Sequence, residues 1–379
     1  HFFPDDPSCD FVSENPSGPR LHIAFVIGSM QVGGAQRMTA NLIGFLSRRG
    51  VRVTLITLDP KPSAFSLPDS VELIAPVASR PFKRDISSGF RVLRFLRKSI
   101  NSSQAEIVIS FLFPSLFLAA STGLKKKKVI SIRNNPGVYE FPDNIALRRI
   151  LFPFADAILC QTKYARDIIY RQTGHQNIDV LPNFLEDKFL DTDIEPIYAR
   201  SKRIIYVGRL VEGKGLYDLI WAFAAGLDKE WTLLLVGSGP LEAELRECAS
   251  DLNVLDRVVF TGAVSDVRPF LKSAQIFAFC SRSEGFPNAL LEAMSQGLCC
   301  ISYDCNAGPS DLISDGVDGF LIEVGDKQAF RNKLKELSAE PGVIKAIGSS
   351  AEKIKARYCQ KVVGKRFLEC LKALLDQQR

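Results

Sequence analysis

Short runs of β-branched and aliphatic residues alternate with longer amphipathic segments through the first half of the chain. The apolar runs predict strands at residues 21–27, 51–57, 107–110, 129–132 and 157–159. Residues 35–48 have the spacing of an amphipathic helix. Strands separated by helical lengths predict βαβ units and a parallel sheet.

The same alternation resumes after a polar, proline-containing stretch that follows Leu181-Pro182-Asn183 and extends to Ser201. Further strands are predicted at 203–207, 231–236, 257–261, 276–279 and 299–302. The sequence therefore predicts an α/β protein with two doubly wound parallel-sheet domains in tandem. Ligands of such sheets bind at the carboxyl ends of the strands.

These patterns give four segments: an extension at 1–20, a first domain at 21–183, a second domain at 184–358 and a terminal helix at 359–379. Apolar residues recur at helical spacing in the last segment, at Val362, Val363, Phe367, Leu371 and Leu374. We expect this helix to dock, packing back on the first domain.

Composition excludes several classes of protein. The chain has 379 residues, 46% of them apolar and 24% charged, which excludes collagen-like, disordered and small disulfide-linked classes. Nine cysteines without a C-x-x-C pair and only three histidines leave little for a zinc site or a Ser-His-Asp hydrolase. We interpret the cysteines as reduced thiols of a cytoplasmic protein. The longest apolar stretch, 107–120, contains Pro114 and is shorter than the roughly 20 residues that cross a bilayer.

Positive charge is concentrated in one window. Residues 80–149 hold fourteen Lys and Arg against four Asp and Glu, although the whole chain carries only +6. The sequence contains no recognisable nucleic-acid module, so we expect no nucleic-acid partner. Two interpretations remain, a solvated protein face or contact with an anionic membrane surface. We expect the second, with the protein peripheral on the inner face of the plasma membrane.

Glycine turns follow several of the predicted strands. Gly33-Gly34 follows the first strand and opens a helix, where bare backbone N–H groups can hold an oxyanion or no ligand at all. The spacing is not the G-x-G-x-x-G of dinucleotide-binding proteins. Gly208 to Gly215 adds two cations, Arg209 and Lys214, that suit a diphosphate. Gly237-Ser238-Gly239-Pro240 repeats the arrangement one unit later.

Two carboxylates frame the most specific pattern, Glu284-Gly285-Phe286-Pro287-Asn288-Ala289-Leu290-Leu291-Glu292. Pro287 favours the first turn of a helix. Glu284 is therefore expected in the loop before that helix, with Glu292 one to two turns inside it. The two cannot be assumed to flank one bond as the carboxylates of glycosidases do.

In this order, and with Thr261-Gly262-x-Val264 between them, the glycine loops and the carboxylate motif resemble the retaining nucleotide-sugar transferases of glycosyltransferase family 4. The resemblance covers the chain from Leu21 to the tail. It implies the GT-B fold, two Rossmann-like domains facing a central cleft. It also implies metal-independent transfer of a hexose or N-acetylhexosamine from a nucleotide-diphosphate sugar, with UDP as the expected nucleotide. The acceptor would be a hydroxyl of a glycan or polyprenyl-linked glycan, and no cofactor is implied.

The resemblance also implies roles for individual residues. Arg209 and Lys214 would hold the donor diphosphate, and Glu284 would contact the transferred sugar. The implied donor site further includes Gly34, Gly237, Gly239, Val264, Phe286, Pro287, Asn288, Ala289 and Glu292, with Val264 beside the base and Glu292 on the ribose. The loop 131–136 looks like the acceptor-side loop of bacterial polysaccharide members, which adds Gly33, Arg133 and Asn134.

One departure from the family concerns the first domain. Many members place a histidine near the reacting carbon, whereas the corresponding stretch Ser110-Phe111-Leu112-Phe113-Pro114 has none. The alternatives are a nucleotide-sugar epimerase or phosphorylase of the same fold, or a sugar-nucleotide-binding protein without catalysis. A phosphorylase would need a pyridoxal lysine, which the sequence does not indicate. The D-x-D at Asp191-Thr192-Asp193 lies in the linker, so we treat it as chance.

Overall fold

The computed structural model describes residues 21–31, 33–77, 86–111, 113–137, 145–191, 196–225 and 227–376. The extension predicted at 1–20 lies outside the described residues. The chain divides into two compact units. Unit 1 extends to Phe184 and resumes at Gln360, and unit 2 is Leu185–Cys359.

The strands are β1 His22–Ile27, β2 Arg52–Thr57, β3 Glu72–Ile74, β4 Ile107–Ser110, β5 Lys127–Ile132, β6 Ala157–Cys160, β7 Ile178–Val180, β8 Arg203–Val207, β9 Thr232–Val236, β10 Val258–Gly262, β11 Ile276–Phe279, β12 Cys299–Tyr303 and β13 Phe320–Ile322. The helices are α1 Gly34–Ser47, α2 Ile86–Ser102, α3 Pro114–Ser121, α4 Ile145–Leu151, α5 Lys163–Thr173, α6 Leu216–Ala224, α7 Glu242–Asp251, α8 Arg268–Lys272, α9 Asn288–Ser295, α10 Pro309–Leu312, α11 Lys327–Ala339, α12 Pro341–Ala351, α13 Ile354–Tyr358 and α14 Gln360–Asp376.

Each unit contains one parallel sheet. The strand order is β3-β2-β1-β4-β5-β6-β7 in unit 1 and β10-β9-β8-β11-β12-β13 in unit 2. In both sheets the order reverses beside the first strand of the unit, which creates a switch point between β1 and β4 and another between β8 and β11. The prediction of two doubly wound parallel sheets is confirmed.

The strands that the apolar pattern predicted are mostly buried on both faces of the sheet. Every residue of β1, β4, β6 and β12 is buried, so these strands read as continuous apolar runs. The pattern did not predict β3, β7 and β13. Each has three residues at a sheet edge and none that is fully buried.

The terminal helix α14 belongs to unit 1. Its buried residues include Val363, Phe367 and Leu371, which join the same apolar cluster as Phe45 of α1. A Cβ atom on Gly364 would lie 2.4 Å from the ring of Phe45, so glycine allows the two helices to approach closely. Helices α2, α3 and α5 pack on the opposite face of the sheet.

Part of the basic window 80–149 is engaged in contacts within the fold. Lys126 donates from Nζ to the carbonyl of Ala105 at 2.8 Å, and Lys127 lies 3.4 Å from the carboxylate of Asp156. The guanidinium of Arg148 is buried. These cations satisfy groups of the fold because strand and helix ends leave carbonyls and carboxylates near them.

Eight cysteines among the described residues are free, and five of them are buried. Within the same residues, the structure contains no helix of the length and hydrophobicity needed to cross a membrane.

Candidate active site

In unit 2 the loops after β8, β9 and β11 approach one another at the carboxyl edge of the sheet. Gly237 has φ +138°, and a Cβ there would lie 1.9 Å from the carbonyl oxygen of Gly208. A Cβ on Gly239 would lie 2.1 Å from the carbonyl oxygen of Leu210. Backbone hydrogen bonds complete this contact, from Leu210 to the carbonyl of Ser238 at 3.0 Å. The two glycine loops therefore form one continuous backbone surface.

Lys214 and Glu284 meet at this edge. Lys214 donates from Nζ to Oε1 of Glu284 at 2.5 Å, and both side chains are largely buried, with 20% and 14% exposed. The neighbouring Gly215 has φ +64°, and a Cβ there would lie 2.1 Å from the carbonyl oxygen of Cys280. Arg282 also donates its backbone N–H to the carbonyl of Gly213 at 2.8 Å. The structure thus brings two predicted site residues, 70 positions apart, into direct contact.

The carboxylate motif leads into α9. Pro287 precedes the helix as its cap residue, and Gly308 with φ +110° leaves room for the proline ring, because a Cβ there would lie 2.3 Å from the Cδ of Pro287. Glu292 is buried in the second turn, 8% exposed, and Phe286 is 6% exposed. Asn288 and Ala289 form the first turn.

Arg209 and Val264 lie on the same edge but apart from this contact. Arg209 is exposed, and its carbonyl accepts a hydrogen bond from the hydroxyl of Tyr206 at 3.1 Å. Burial, with a contribution from the Glu284 carboxylate, raises the pKa of Tyr206 well above its usual range. Val264 is half-buried after β10, three strands from β11 in the sheet order. Three strand spacings separate the ends of β10 and β11 by about 14 Å.

Sequence reasoning missed a polar network beside the lysine and glutamate. Asp218 in the first turn of α6 accepts from the guanidinium of Arg282 at 2.9 Å and from the hydroxyl of Tyr303 at 3.2 Å. The network ties the loop after β11 to the helix that follows Gly215. A polar residue two positions into an otherwise apolar helix was the available signal.

In unit 1 the predicted residues lie at the carboxyl edge of the first sheet. Gly33 precedes α1 and Gly34 is its first residue. Arg133 follows β5 and donates from Nη1 to Oδ1 of Asn183 at 2.8 Å, whereas Asn134 is exposed. Gln161 donates to the same oxygen at 2.7 Å. Neither Gln161 nor Asn183 was predicted, although Gln161 directly follows the buried strand β6 and Asn183 comes shortly after β7.

The stretch without the histidine is strained. Phe113 has φ 54° and ψ 56°, the left-handed conformation, directly before Pro114, and its side chain is 42% exposed. A bulky residue rarely adopts this conformation outside functional regions. Among the described residues no group of acidic, histidine or cysteine side chains could hold a metal ion.

Two family models match the chain. "Glycosyltransferase Family 4" matches residues 32–189, and "Glycosyl transferases group 1" matches residues 201–340. A Campylobacter jejuni relative is 28% identical over 333 residues, which are 83% of this chain and 88% of that protein. It is named GalNAc-alpha-(1->4)-GalNAc-alpha-(1->3)-diNAcBac-PP-undecaprenol alpha-1,4-N-acetyl-D-galactosaminyltransferase.

Solved structures with a similar fold include two that cover most of the chain. The lipopolysaccharide outer core galactosyltransferase WaaB in its apo form has a TM-score of 0.76 at 21% identity, covering 93% of this chain and 99% of that one. HepE from Anabaena in complex with UDP also has a TM-score of 0.76, at 18% identity, covering 93% and 100%. At these identities the likeness concerns the fold.

Proposed function

Because the chain belongs to the family 4 and group 1 glycosyltransferases and has their GT-B fold, we propose that it transfers a hexose or N-acetylhexosamine from a UDP-sugar to a hydroxyl of a lipid-linked glycan. The contact between Lys214 and Glu284 carries the proposal. The contact supports the proposal because a cation that could bind the donor phosphates lies beside a carboxylate that could bind the sugar, next to a backbone surface made by glycine turns.

The positions along the edge of unit 2 suit an extended nucleotide sugar. The base lies near Val264 after β10, the diphosphate near Arg209 and Lys214 after β8, and the sugar near Glu284 after β11. Glu292 binds the ribose hydroxyls. The UDP present in the HepE structure supports the choice of nucleotide, and the undecaprenyl diphosphate in the name of the Campylobacter jejuni relative supports a lipid-linked acceptor.

The proposed reaction retains the anomeric configuration. The acceptor oxygen forms a bond to the anomeric carbon on the face from which the diphosphate leaves. The bond between that carbon and the phosphate oxygen breaks, and the acceptor proton passes to the departing phosphate oxygen. Lys214 and Arg209 stabilise the negative charge that develops on the diphosphate. The leaving group thus serves as the base in place of a histidine.

The same two cations replace a divalent metal ion. A diphosphate needs positive charge as it leaves, and arginine supplies a planar fork whereas lysine supplies a point charge. We therefore expect activity without added metal.

A donor screen tests the proposed function. UDP- and GDP-sugars are incubated with short-chain polyprenyl-diphosphate glycans, and free nucleotide and glycan product are measured with and without EDTA. We expect UDP release coupled to product, unchanged by EDTA, and NMR should show the donor's anomeric configuration in the product. Donor binding without product would indicate a binding protein, and complete loss in EDTA restored by Mg²⁺ would contradict the metal-independent mechanism.

We also propose that unit 1 contacts an anionic membrane through exposed side chains of α2 and α4. Phe90 is 71% exposed on α2, and Ile150 is 63% exposed on α4. Exposed cations accompany them, including Arg94 and Lys98. Exposed apolar side chains flanked by cations are typical of proteins that lie on anionic membranes.

Vesicle sedimentation tests the membrane contact. Each basic side chain near an anionic surface contributes about 1 kcal/mol, so Arg94→Gln with Lys98→Gln should weaken binding to phosphatidylglycerol vesicles at low salt by tenfold or more. Arg246→Gln, an exposed change in unit 2, is the matched control. Equal binding to neutral and anionic vesicles, or no binding to either, would contradict the membrane contact and indicate that these side chains form a solvated protein face.

A further inference from the structure

Four polar side chains collect at the carboxyl ends of β5, β6 and β7 in unit 1. Ser131, Gln161 and Asn183 are each at most 5% exposed, and Arg133 is half-buried. Adjacent strands bring them together, because β5 pairs with β6 and β6 with β7. Buried polar groups normally pair with one another, so any that remain unpaired need an explanation.

The guanidinium of Arg133 is held from two directions. Its Nη1 donates to Oδ1 of Asn183, which Gln161 also contacts. Its plane lies over Phe111, with the guanidinium carbon 4.7 Å from the ring centroid, and Phe111 in turn stacks on Phe25 at 5.4 Å. Contacts within unit 1 therefore occupy Nη1 and one face of the guanidinium.

The other edge of the guanidinium, formed by Nε and Nη2, makes no such contact with the described residues. Nε and Nη2 of Arg133 are closed to solvent and have no hydrogen-bond partner among the described residues. The Oε1 atom of Gln161 and the hydroxyl of Ser131 are likewise buried, without a hydrogen-bond partner in the part of the chain that the structure describes. Burial also lowers the pKa of Arg133 to about 9, as expected for a cation without a counter-charge.

The edge formed by Nε and Nη2 has the geometry to bind an oxyanion. Nε–H and Nη2–H point in parallel from one side of the guanidinium, which is the geometry that binds two oxygens of a phosphate or carboxylate. Leaving such donors unpaired away from water is unfavourable. A ligand oxyanion therefore gains more here than it would at an exposed arginine.

We propose that Arg133 binds a phosphate of the acceptor side-on through Nε and Nη2, with Gln161 Oε1 accepting a hydrogen bond from a hydroxyl next to that phosphate. The proposal rests on the proposed function, which supplies an acceptor that carries a diphosphate. Arg133 keeps part of its surface in solvent, and the proposal requires nearby side chains to shift so that the ligand reaches the closed edge.

Acceptors that differ only in charge test the proposal. The same glycan is linked through a diphosphate to a short polyprenyl chain, or directly to a neutral alkyl chain. Arg133→Gln should raise KM for the diphosphate acceptor at least tenfold and leave KM for the neutral acceptor and the UDP-sugar unchanged. Arg133→Lys keeps the charge but lacks the fork, and it should restore only part of the difference.

Binding of inorganic pyrophosphate in saturating UDP provides a readout that does not depend on turnover. We expect pyrophosphate to raise the Tm of the wild-type protein but not that of Arg133→Gln. Arg200→Gln, a change at a buried arginine of unit 2 that donates to two backbone carbonyls, controls for loss of a buried cation and should keep the shift.

The outcomes separate this inference from the proposed function. No UDP release by the wild-type protein would contradict the proposed function, and the pyrophosphate shift would still decide the role of Arg133. An equal effect of Arg133→Gln on both acceptors, a rise in donor KM, or no pyrophosphate shift in the wild-type protein would overturn the inference.

Discussion

Lys214 and Glu284 neutralise each other across 2.5 Å in the structure, so substituting one changes what the other does. Glu284→Gln removes the carboxylate that would contact the sugar, but it also frees the ammonium of Lys214 from its anionic partner. We expect turnover to fall by about 10²-fold or more, while UDP binds at least as tightly as to the wild-type protein. Calorimetric titration with UDP and a UDP-release assay measure the two effects.

Lys214→Met provides the complementary variant. It removes the charge that would hold the diphosphate, so UDP affinity should fall at least tenfold along with turnover, since a hydrogen bond to a charged group contributes about 1.5–3 kcal/mol. Near-wild-type turnover at saturating donor in either variant would show that the assigned roles are wrong.

His22 makes the stability of unit 1 depend on pH. Its Nε2 lies 2.8 Å from the hydroxyl of Thr54, which donates to the carboxylate of Glu72 at 3.0 Å. Nε2 must therefore carry a proton as the donor in the neutral ring. Burial first, and then the charge of Arg52, lower the pKa of His22 below its ordinary 6.5.

Because the folded-state pKa of His22 lies below the unfolded value, the unfolded state binds more protons between the two. The free energy of unfolding should be unaffected by His22 above about pH 6.5 and should decrease as the pH falls below it. Urea titrations of the wild-type protein and His22→Gln from pH 8 to pH 5 measure this. If the two proteins lose stability in parallel, His22 is not the group responsible.

At the scale of the element, the loop between β8 and α6 is set by backbone geometry. Gly215 and Gly213 both have positive φ, +64° and +80°, but only at Gly215 would a Cβ meet another backbone, the carbonyl of Cys280. Gly213→Ala should cost about 1–2 kcal/mol for the left-handed conformation alone. Gly215→Ala should cost clearly more and also lower UDP affinity, because the clash separates the loop that carries Lys214 from the end of β11.

Chemical denaturation of the two glycine variants gives the comparison directly. Equal losses of stability would mean that the close approach at Cys280 is not maintained in solution.

At the scale of the whole molecule, the two units have separate apolar cores. Phe367 of α14 is fully buried in the core of unit 1, and Leu334 of α11 is fully buried in that of unit 2. Phe367→Ala should cost about 3–5 kcal/mol and Leu334→Ala about 2–5 kcal/mol. Hydrogen exchange should accelerate in residues 21–184 for the first variant and in residues 185–359 for the second.

Exchange that accelerates across the whole chain in either variant would contradict independent cores. The comparison also tests whether α14 stabilises unit 1, to which the chain returns only after completing unit 2.

The local pattern of apolar residues was sufficient to predict an element wherever a strand is buried on both faces or a helix has one apolar stripe. Strands such as β4, β8 and β11 were predicted to the residue, because each contains a run of buried apolar side chains. The three-residue edge strands gave no such signal. At the site, glycine turns and the carboxylate motif marked the loops of unit 2, whereas Asp218, Gln161 and Asn183 were missed because single polar residues are common after strands.

The sequence by itself determined the fold class, the strands that build both sheets, the glycine turns at their carboxyl ends and the family to which the chain belongs. Those features depend on residues close together in the chain, where hydrophobic periodicity and backbone conformation act. The tertiary structure decided which distant groups meet: Lys214 with Glu284, Arg133 with Asn183, and Lys127 with Asp156. It also decided which polar atoms remain unpaired, because burial and pairing depend on what packs against a side chain and not on its neighbours in the chain.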